Sequence, residues 1–159
     1  MKNAINHSPY SIQRACFAQL SLSQFYALAK LRQDVFIIEQ QSIYSDLDGL
    51  DSEAIHFLCW PSKDFDTPLL AYARYRFCVV AKEVKIERVV CGAVARGQGL
   101  GKHLMLEILL DIRTQYAGTK ISLSAQVDAQ SFYQKLGFVA QGESYDDGGI
   151  EHITMYYGS

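Results

Sequence analysis

Apolar residues recur at helical spacing in two stretches of the chain. The first stretch has this spacing at four positions: Phe25, Leu28, Leu31 and Val35. Ser21 precedes it and Gln24 follows three residues later, a combination that forms a capping box at a helix start. The second stretch follows a glycine-rich segment and places Leu104, Ile108 and Ile112 on one face. Both stretches are therefore predicted to be helices that pack one face on the core.

Shorter apolar and β-branched runs, separated by turn-forming residues, are typical of strands. The predicted strands cover residues 12–20, 54–60, 69–78, 84–91, 121–125, 138–145 and 150–157. A polar loop at 61–68 and hairpin turns at 79–83 and 146–149 connect them, and a short helix over 127–136 ends at Gly137. This order predicts an α+β fold with a mixed sheet, in which the strands at 84–91 and 121–125 are parallel neighbours.

Residues 39–53 interrupt the pattern and are predicted to form a long irregular segment. It contains four carboxylates, at Asp46, Asp48, Asp51 and Glu53. We interpret it as a solvated acidic loop, with attraction of a cationic amine as the alternative. The aspartate spacing does not make a calcium loop of the EF-hand type, because the terminal glutamate is missing at the required offset.

Composition predicts one soluble domain over residues 1–159. The net charge of −2 argues against a dedicated nucleic-acid-binding protein, which is normally basic. No apolar run approaches the ~20 residues that a bilayer-spanning helix needs, and residues 1–7 lack the apolar region of a secretory signal. We therefore expect a cytoplasmic protein without a membrane or nucleic-acid partner, with residues 1–9 loosely ordered.

Four cysteines occur in apolar contexts and none forms a Cys-x-x-Cys pair: Cys16, Cys59, Cys78 and Cys91. Free thiols in a reducing compartment are the interpretation that this favours, with a zinc site or a nucleophilic cysteine as the alternative. No histidine spacing supports a metal site, so none is expected.

Residues 96–102, Arg-Gly-Gln-Gly-Leu-Gly-Lys, predict an anion site between a strand and a helix. Such a loop turns backbone N–H groups toward one point, where the helix N-terminus adds partial positive charge. The Walker A pattern fails because Arg96 replaces its first glycine and His103 follows the lysine. The dinucleotide fingerprint fails because Lys102 replaces its third glycine. Phosphate is the anion that this arrangement favours.

The Arg-x-x-Gly-x-Gly loop resembles the pyrophosphate loop of the GNAT acyltransferase superfamily, which holds acetyl-coenzyme A (acetyl-CoA). Residues 126–138 resemble the GNAT helix after the fifth strand, with a Phe-Tyr pair at 132–133 and a Gly-Phe step at 137–138. Residues 31–40 and 143–155 resemble an ElaA-like subgroup of that superfamily. Five single positions between them do so as well: Tyr44, Asp46, Asp48, Asp51 and His56. Ile43 and Glu151 stand where prolines are expected in that subgroup, which bears on local backbone shape and not on the fold.

The resemblance implies a GNAT fold of about seven strands and three to four helices, in which the parallel fourth and fifth strands splay apart. An amide chain such as pantetheine can enter such an opening as though it were a strand. The residues that the resemblance assigns to acetyl-CoA are Val89, Val90, Cys91, Arg96, Gly97, Gln98, Gly99, Leu100, Gly101, Lys102 and Gln126. Arg96 either adds charge or braces the loop.

The activity that the resemblance implies is N-acetylation: direct attack of a small-molecule or peptide amine on acetyl-CoA in a ternary complex. Tyr133 is the candidate general acid, since a phenol suits proton donation to a thiolate. The base stays open between four residues: Glu39, Glu87, His56 and His152. A water chain is a further alternative, and positioning of the amine supplies rate in any case.

Two other functions are weighed against this one. The first is a non-catalytic acyl-CoA-binding or regulatory domain, because a fold does not dictate chemistry. The second is an acyl-homoserine-lactone synthase, which residues 31–40 also resemble, but the short chain and the glycine loop disfavour it. The acceptor, and whether the chain forms a homodimer, stay open at this point.

Overall fold

An eight-stranded mixed sheet organises the part of the chain that the computed structural model describes, residues 9–62 and 68–158. The strands are β1 (Tyr10–Cys16), β2 (Ile55–Pro61), β3 (Ala71–Cys78), β4 (Glu83–Cys91), β5 (Lys120–Gln126), β6 (Phe138–Ala140), β7 (Tyr145–Asp147) and β8 (Ile150–Tyr157). They lie in the order β1-β2-β3-β4-β5-β8-β6, and β7 pairs with β8 beside β6. β4 and β5 run parallel, and the other neighbours run antiparallel. The predicted mixed α+β sheet is confirmed.

The sheet has one strand more than predicted, because the predicted strand at 138–145 is two strands. Gly142, in the left-handed region with φ 81°, separates β6 from β7. The turn before β8 consists of Gly148 and Gly149, also with positive φ, so Asp146 and Asp147 belong to β7 and not to the turn. Most of the predicted loop at 61–68, and of the predicted loosely ordered residues 1–9, lies outside the described residues.

Three α-helices flank the sheet: α1 (Leu22–Arg32), α2 (Leu100–Gln115) and α3 (Gln130–Lys135). The predicted capping box starts α1, since Ser21 Oγ accepts from Gln24 N at 3.1 Å and the Gln24 side chain accepts from Ser21 N at 3.0 Å. A π-helix, Gln33–Glu39, continues α1 without a break, and Gln40 N bonds to Val35 O at 3.0 Å. None of the described helices combines the length and the apolar content needed to cross a membrane.

Each face of the sheet has its own apolar cluster. On the α2 face, buried Leu104, Met105 and Ile108 pack with strand residues such as Ile86 and Leu123. On the α1 face, the cluster draws its strand residues from β2, β3 and β4: Leu58, Trp60, Tyr72 and Val90. The α1 face of β5 and β8 is thus not part of that cluster and is free to line a cavity.

Candidate active site

The parallel strands β4 and β5 separate halfway along their length. They pair only from Glu83 to Ile86 on β4 and from Lys120 to Leu123 on β5. Beyond that point β4 continues to Cys91 and β5 to Gln126 without pairing with each other. Backbone N–H and C=O groups on the facing sides of this opening are therefore available to a third chain. This is the splay that the resemblance predicted.

A β-bulge in β4 coincides with the start of the opening. Arg88 has φ 59°, in the left-handed region that side chains rarely adopt. In the β3–β4 register, Tyr72 lies opposite Val90 but Arg74 lies opposite Glu87. Two residues of β4, 88 and 89, therefore face Ala73 alone. A bulge of this kind bends its strand and increases the local twist.

A cavity of about 1020 Å³ fills the opening on the α1 face. The π-helix, β4, β5 and β8 all contribute to its wall. Its lining includes these polar and charged residues: Glu39, Gln40, Glu83, Lys85, Glu87, Arg88, Arg96, Ser122, Ser124, Gln126, Asp128, Tyr133, Asp147, His152, Thr154 and Tyr156. The cavity therefore offers hydroxyl, amide and imidazole groups, together with charged groups of both signs, to a bound molecule.

A second cavity of about 400 Å³ lies beside the glycine loop. It shares Cys91 and Arg96 with the first cavity, so the two adjoin. Its lining residues are Cys91, Ala95, Arg96, Gly97, Gly99, Leu100, Gly101, Lys102, Phe132, Lys135 and Leu136. Lys102 and Lys135 bring positive charge from two different helices, and Lys135 was not singled out from the sequence.

The glycine loop ends at the N-terminus of α2 with its amides uncapped by any side chain. Gly97 has φ 78° and Gly99, the N-cap residue, has φ 75°. A Cβ at either position would meet no atom within 4 Å, so the glycines serve the backbone conformation and the space in front of the loop. Free N–H groups and the helix dipole at this point are features that favour an anion.

Glu39, the last residue of the π-helix, and Gln40, its C-cap residue, bond to residues on the two sides of the opening. Glu39 accepts hydrogen bonds from both terminal nitrogens of Arg96, at 2.7 and 3.1 Å, and these hydrogen bonds lower the pKa of Glu39. Gln40 accepts from Gln126 Nε2 at 3.0 Å, at the end of β5. Arg96 also donates to Cys91 O at 3.2 Å, so in this structure it braces the loop. The side chain of Gln98 lines neither cavity and bonds to Val94 O instead.

Tyr133 stands on α3 and lines the larger cavity. The side chain is buried, and burial raises the pKa of its phenol above the ordinary value. Among the residues that the structure describes, none hydrogen-bonds to the hydroxyl group. The phenol therefore stays protonated, and its O–H group is available to donate a hydrogen bond to a bound molecule.

The two candidate carboxylate bases are both neutralised by arginine. Glu39 is paired with Arg96, as described above. Glu87 accepts from Arg74 at 3.0 Å and from Arg76 at 2.9 and 2.8 Å. Burial alone would raise the pKa of Glu87, but these arginines outweigh it and lower the pKa. Both groups are therefore poor proton acceptors at neutral pH.

The two candidate histidines have different surroundings. His56 is fully buried with both ring nitrogens engaged, Nε2 with Asp51 O at 2.8 Å and Nδ1 with the Tyr72 hydroxyl at 2.7 Å. Burial lowers its pKa, and the structure does not bring it to the cavity. His152 lines the cavity on β8, opposite Gln126. Its Nδ1 donates to Ile150 O at 2.7 Å, and in the neutral ring this leaves Nε2 as the acceptor.

The predicted solvated acidic loop is wrong for its three aspartates, whereas the fourth carboxylate, Glu53, is exposed as predicted. Asp46 and Asp51 are buried, and Asp48 is largely covered. Three arginines that the sequence analysis did not single out pair with these carboxylates: Arg32, Arg74 and Arg88. The signal was present, because Arg32 follows Leu31 and Leu28 on the buried side of α1 and Arg74 has the strand parity of Tyr72. A charged residue at a core-facing position needs a buried partner of opposite charge.

Comparison with known proteins places this geometry in context. The family model described as an acetyltransferase (GNAT) domain matches residues 66–158. The protein ElaA of Escherichia coli is 37% identical over 145 residues, which cover 87% of this chain and 90% of ElaA. A UPF0039 protein of Synechocystis sp. is 34% identical over 142 residues, 89% of this chain and 90% of that protein.

Solved structures agree with these sequence matches. A crystal structure of an acyl-CoA N-acyltransferase from Pseudomonas aeruginosa aligns with a TM-score of 0.84 and 38% identity, over 93% of this chain and 99% of that one. The crystal structure of Escherichia coli ElaA aligns with a TM-score of 0.83 and 36% identity, over 92% of this chain and 99% of that one.

Proposed function

The chain belongs to the GNAT acetyltransferase family, and from that premise we propose that it is an N-acetyltransferase. It moves an acetyl group from acetyl-CoA to the amine of a small molecule or peptide, in a ternary complex. The observation that carries the proposal is the unpaired stretch of β4 and β5, which opens directly beside an uncapped helix N-terminus. Few ligands need both an edge for amide pairing and a pocket for phosphate, and coenzyme A is one of them.

The proposed binding mode follows from the two adjoining cavities. The pantetheine amides pair with backbone groups of residues 89–91, as an added strand would. The pyrophosphate accepts N–H groups of residues 98–102, with Lys102 and Lys135 supplying charge across the smaller cavity. Gln126, now bonded to Gln40, adds a side-chain amide at the end of β5.

The proposed chemistry uses Tyr133 and His152. The amine nitrogen attacks the thioester carbonyl carbon, a C–N bond forms and the C–S bond breaks. His152 Nε2 accepts the proton that the amine loses, and the Tyr133 hydroxyl donates a proton to the departing sulfur. The products are an N-acetyl amide and free coenzyme A. We choose His152 over the other candidate bases because Glu39 and Glu87 are paired with arginines and His56 lies away from the cavity.

Thiol release tests the proposed function. Purified protein is incubated with acetyl-CoA and a panel of amines, and both the thiol and the acetylated product are measured. Acetyl-CoA-dependent acetylation of at least one amine is the expected result. Tight binding of acetyl-CoA without turnover of any amine would favour a non-catalytic acyl-CoA-binding domain. A failure to bind acetyl-CoA in calorimetry would overturn the proposal.

Replacement of Tyr133 by phenylalanine tests the general acid. Loss of a positioned proton donor costs about 10²-fold or more in rate, so kcat is expected to fall by about that factor. The Kd for acetyl-CoA is expected to stay within about twofold, because only the hydroxyl is removed. Tyr75→Phe is the matched control, since Tyr75 is also a buried tyrosine but bonds to Asp111 on the α2 face. An unchanged kcat in Tyr133→Phe would remove this residue from the mechanism.

A further inference from the structure

We propose that Arg88 is a positioning residue for the cofactor, because its anchored side chain holds the bulge that keeps β4 and β5 apart. The inference rests on the proposed function, in that the opening is where acetyl-CoA binds. It concerns a residue that makes no part of the acid–base chemistry. It also gives the segment at 44–51, which carries the unexpected buried carboxylates, a role in the site.

The backbone at Arg88 is held in a conformation that is unfavourable for a residue with a Cβ atom. A left-handed φ of 59° brings the Cβ atom close to the following carbonyl oxygen, which only glycine avoids. The last β4 residue paired with β5 is Ile86, two positions earlier. The strained residue therefore stands where the two strands part, and something must compensate for the strain.

The compensation comes from the guanidinium group. Nη2 donates to Asp48 Oδ2 and to Asp46 O, both at 3.2 Å. Nε forms an ion pair with Asp46 Oδ1 at 2.9 Å, although it lacks the alignment of a hydrogen bond. The group also lies over the Tyr44 ring, 5.6 Å from its centre. Four contacts thus fix one side chain to the segment at 44–48.

That segment is itself immobilised from behind. Arg32 holds Asp46 through both its carboxylate and its carbonyl oxygen, at 2.9 and 2.7 Å. Arg74 binds Asp48 at 2.6 Å, and Asp51 bridges Arg32 and Arg74 at 2.7 Å each. The side chains of Arg32 and Arg74 are fully buried. A buried, fully paired cluster of this kind specifies one arrangement of the chain, so the anchor of Arg88 is rigid.

The consequence reaches the residues proposed to bind pantetheine. The extra residue of the bulge sets which backbone groups of residues 89–91 face the opening. Without the bulge, the alternation of the strand after Glu87 would shift by one position and present different groups there. Straightening β4 would also let it approach β5. Loss of the anchor is therefore expected to weaken acetyl-CoA binding.

Three substitutions separate the anchor from the backbone. Arg88→Ala removes the anchor and keeps the Cβ penalty, so the Kd for acetyl-CoA is expected to rise about tenfold or more. Arg88→Gly removes the anchor but adopts positive φ freely, so its Kd should stay closer to the parent. Arg88→Lys keeps the charge without the forked geometry and should restore binding in part.

Arg14→Ala is the matched control. Arg14 also forms an ion pair, with Asp111 at 2.8 Å, but it lies on β1, away from the opening. Its loss is expected to lower the melting temperature slightly and to leave the Kd unchanged. If Arg88→Ala behaves like Arg14→Ala in both measurements, the inference is wrong. Should Arg88→Ala fail to fold, Arg88→Lys decides, because it keeps the Cβ penalty and loses the forked anchor: a Kd above the parent value supports the inference, and a Kd equal to the parent value overturns it.

Amide hydrogen exchange tests the same point without any ligand. Closure of the opening should slow exchange at residues 89–91 and 124–126 in Arg88→Ala, and not in Arg14→Ala. If the parent chain binds no acetyl-CoA, the proposed function fails. The exchange rates alone then decide whether Arg88 holds β4 and β5 apart. If the parent binds acetyl-CoA and Arg88→Ala binds it as tightly, this inference fails while the proposed function stands.

Discussion

At the scale of single residues, the partners of an ionisable side chain decide what chemistry it can perform. Glu87 and His152 both line the larger cavity, and the sequence offered each as a base. Glu87 is held by two arginines, which lower its pKa and occupy its oxygens. His152 spends only Nδ1 on the backbone and keeps Nε2 available. Residue type alone gives no reason to prefer one of the two residues as the base.

His152→Gln tests the proposed base. Glutamine retains hydrogen bonding but cannot accept a proton at neutral pH, so kcat is expected to fall by about 10²-fold. The Kd for acetyl-CoA should not change, because His152 is proposed to face the amine. His103→Gln is the control, since His103 is a histidine on α2 that bonds to Tyr10 outside the larger cavity. Equal kcat values for the parent and His152→Gln would leave the reaction to a water chain or to positioning alone.

Tyr133 and His152 also mark the boundary of what the sequence could predict. The Phe-Tyr pattern before a Gly-Phe step singled out Tyr133, because a local motif carries its own register. The choice between bases depended on Arg74, Arg76 and Arg96, which reach Glu87 and Glu39 only in the folded chain. Contacts between residues dozens of positions apart leave no local periodicity, so sequence reasoning left four candidates open.

At the scale of elements, the loop between β4 and α2 was the most predictable part of the site. Three glycines between a strand and a helix restrict the backbone to few conformations, and two of them have the positive φ that glycine permits. The splay itself came from the family resemblance. The bulge that accompanies it was not predicted, since Arg88 is neither glycine nor asparagine and nothing local marks it as left-handed.

Gly99→Ala tests whether the loop serves a ligand. Alanine at a φ of 75° is expected to cost about 1 kcal/mol of unfolding free energy and to place a methyl group before the amides of α2. Acetyl-CoA binding should weaken about tenfold, since the phosphates approach the backbone closely there. Gly118→Ala is the control, because Gly118 has the same φ of 75° and open surroundings, but follows the far end of α2. A similar loss of acetyl-CoA affinity in both variants would assign the effect to stability.

At the scale of the whole molecule, one ionic cluster joins parts of the chain that are distant in sequence. It connects α1 through Arg32, the segment at 46–51, β3 through Arg74 and β4 through Glu87 and Arg88. Of these elements, β4 borders the larger cavity, and α1 continues into the π-helix that also lines it. The sequence showed the acidic half of this cluster and interpreted it as solvated, because the arginines are dispersed over strands and a helix. The fold and the opening between β4 and β5 therefore share one electrostatic support.

Because this cluster depends on ionised carboxylates, we expect the free energy of unfolding to fall in acid. Urea unfolding at pH 7, 5 and 3 measures this fall. Burial would raise the pKa of Asp48, but Arg74, the Leu50 amide and Arg88 outweigh it and lower the pKa from 3.8 to about 2. A group with a lower pKa in the folded state contributes its full stability above the unfolded value and loses it as pH falls toward the folded value. The Asp48 contribution is lost between about pH 5 and pH 2, and solvent screening of this partly exposed carboxylate keeps it below about 2 kcal/mol. Asp51 and Glu87, whose pKa values are also lowered, act in the same direction.

Asp48→Asn is expected to lower stability at pH 7 and to flatten its fall between pH 5 and pH 3. His56 adds a loss that begins nearer pH 6.5, because burial lowers its pKa and the folded state resists its protonation. Asp128→Asn is the control: Asp128 is exposed and forms no ion pair within the described residues, so its loss should change stability by less than about 0.5 kcal/mol at either pH. The same pH dependence in the parent and Asp48→Asn would mean that the cluster does not carry the acid sensitivity. Since the cluster also anchors Arg88, acetyl-CoA affinity should begin to fall with pH before the chain unfolds globally.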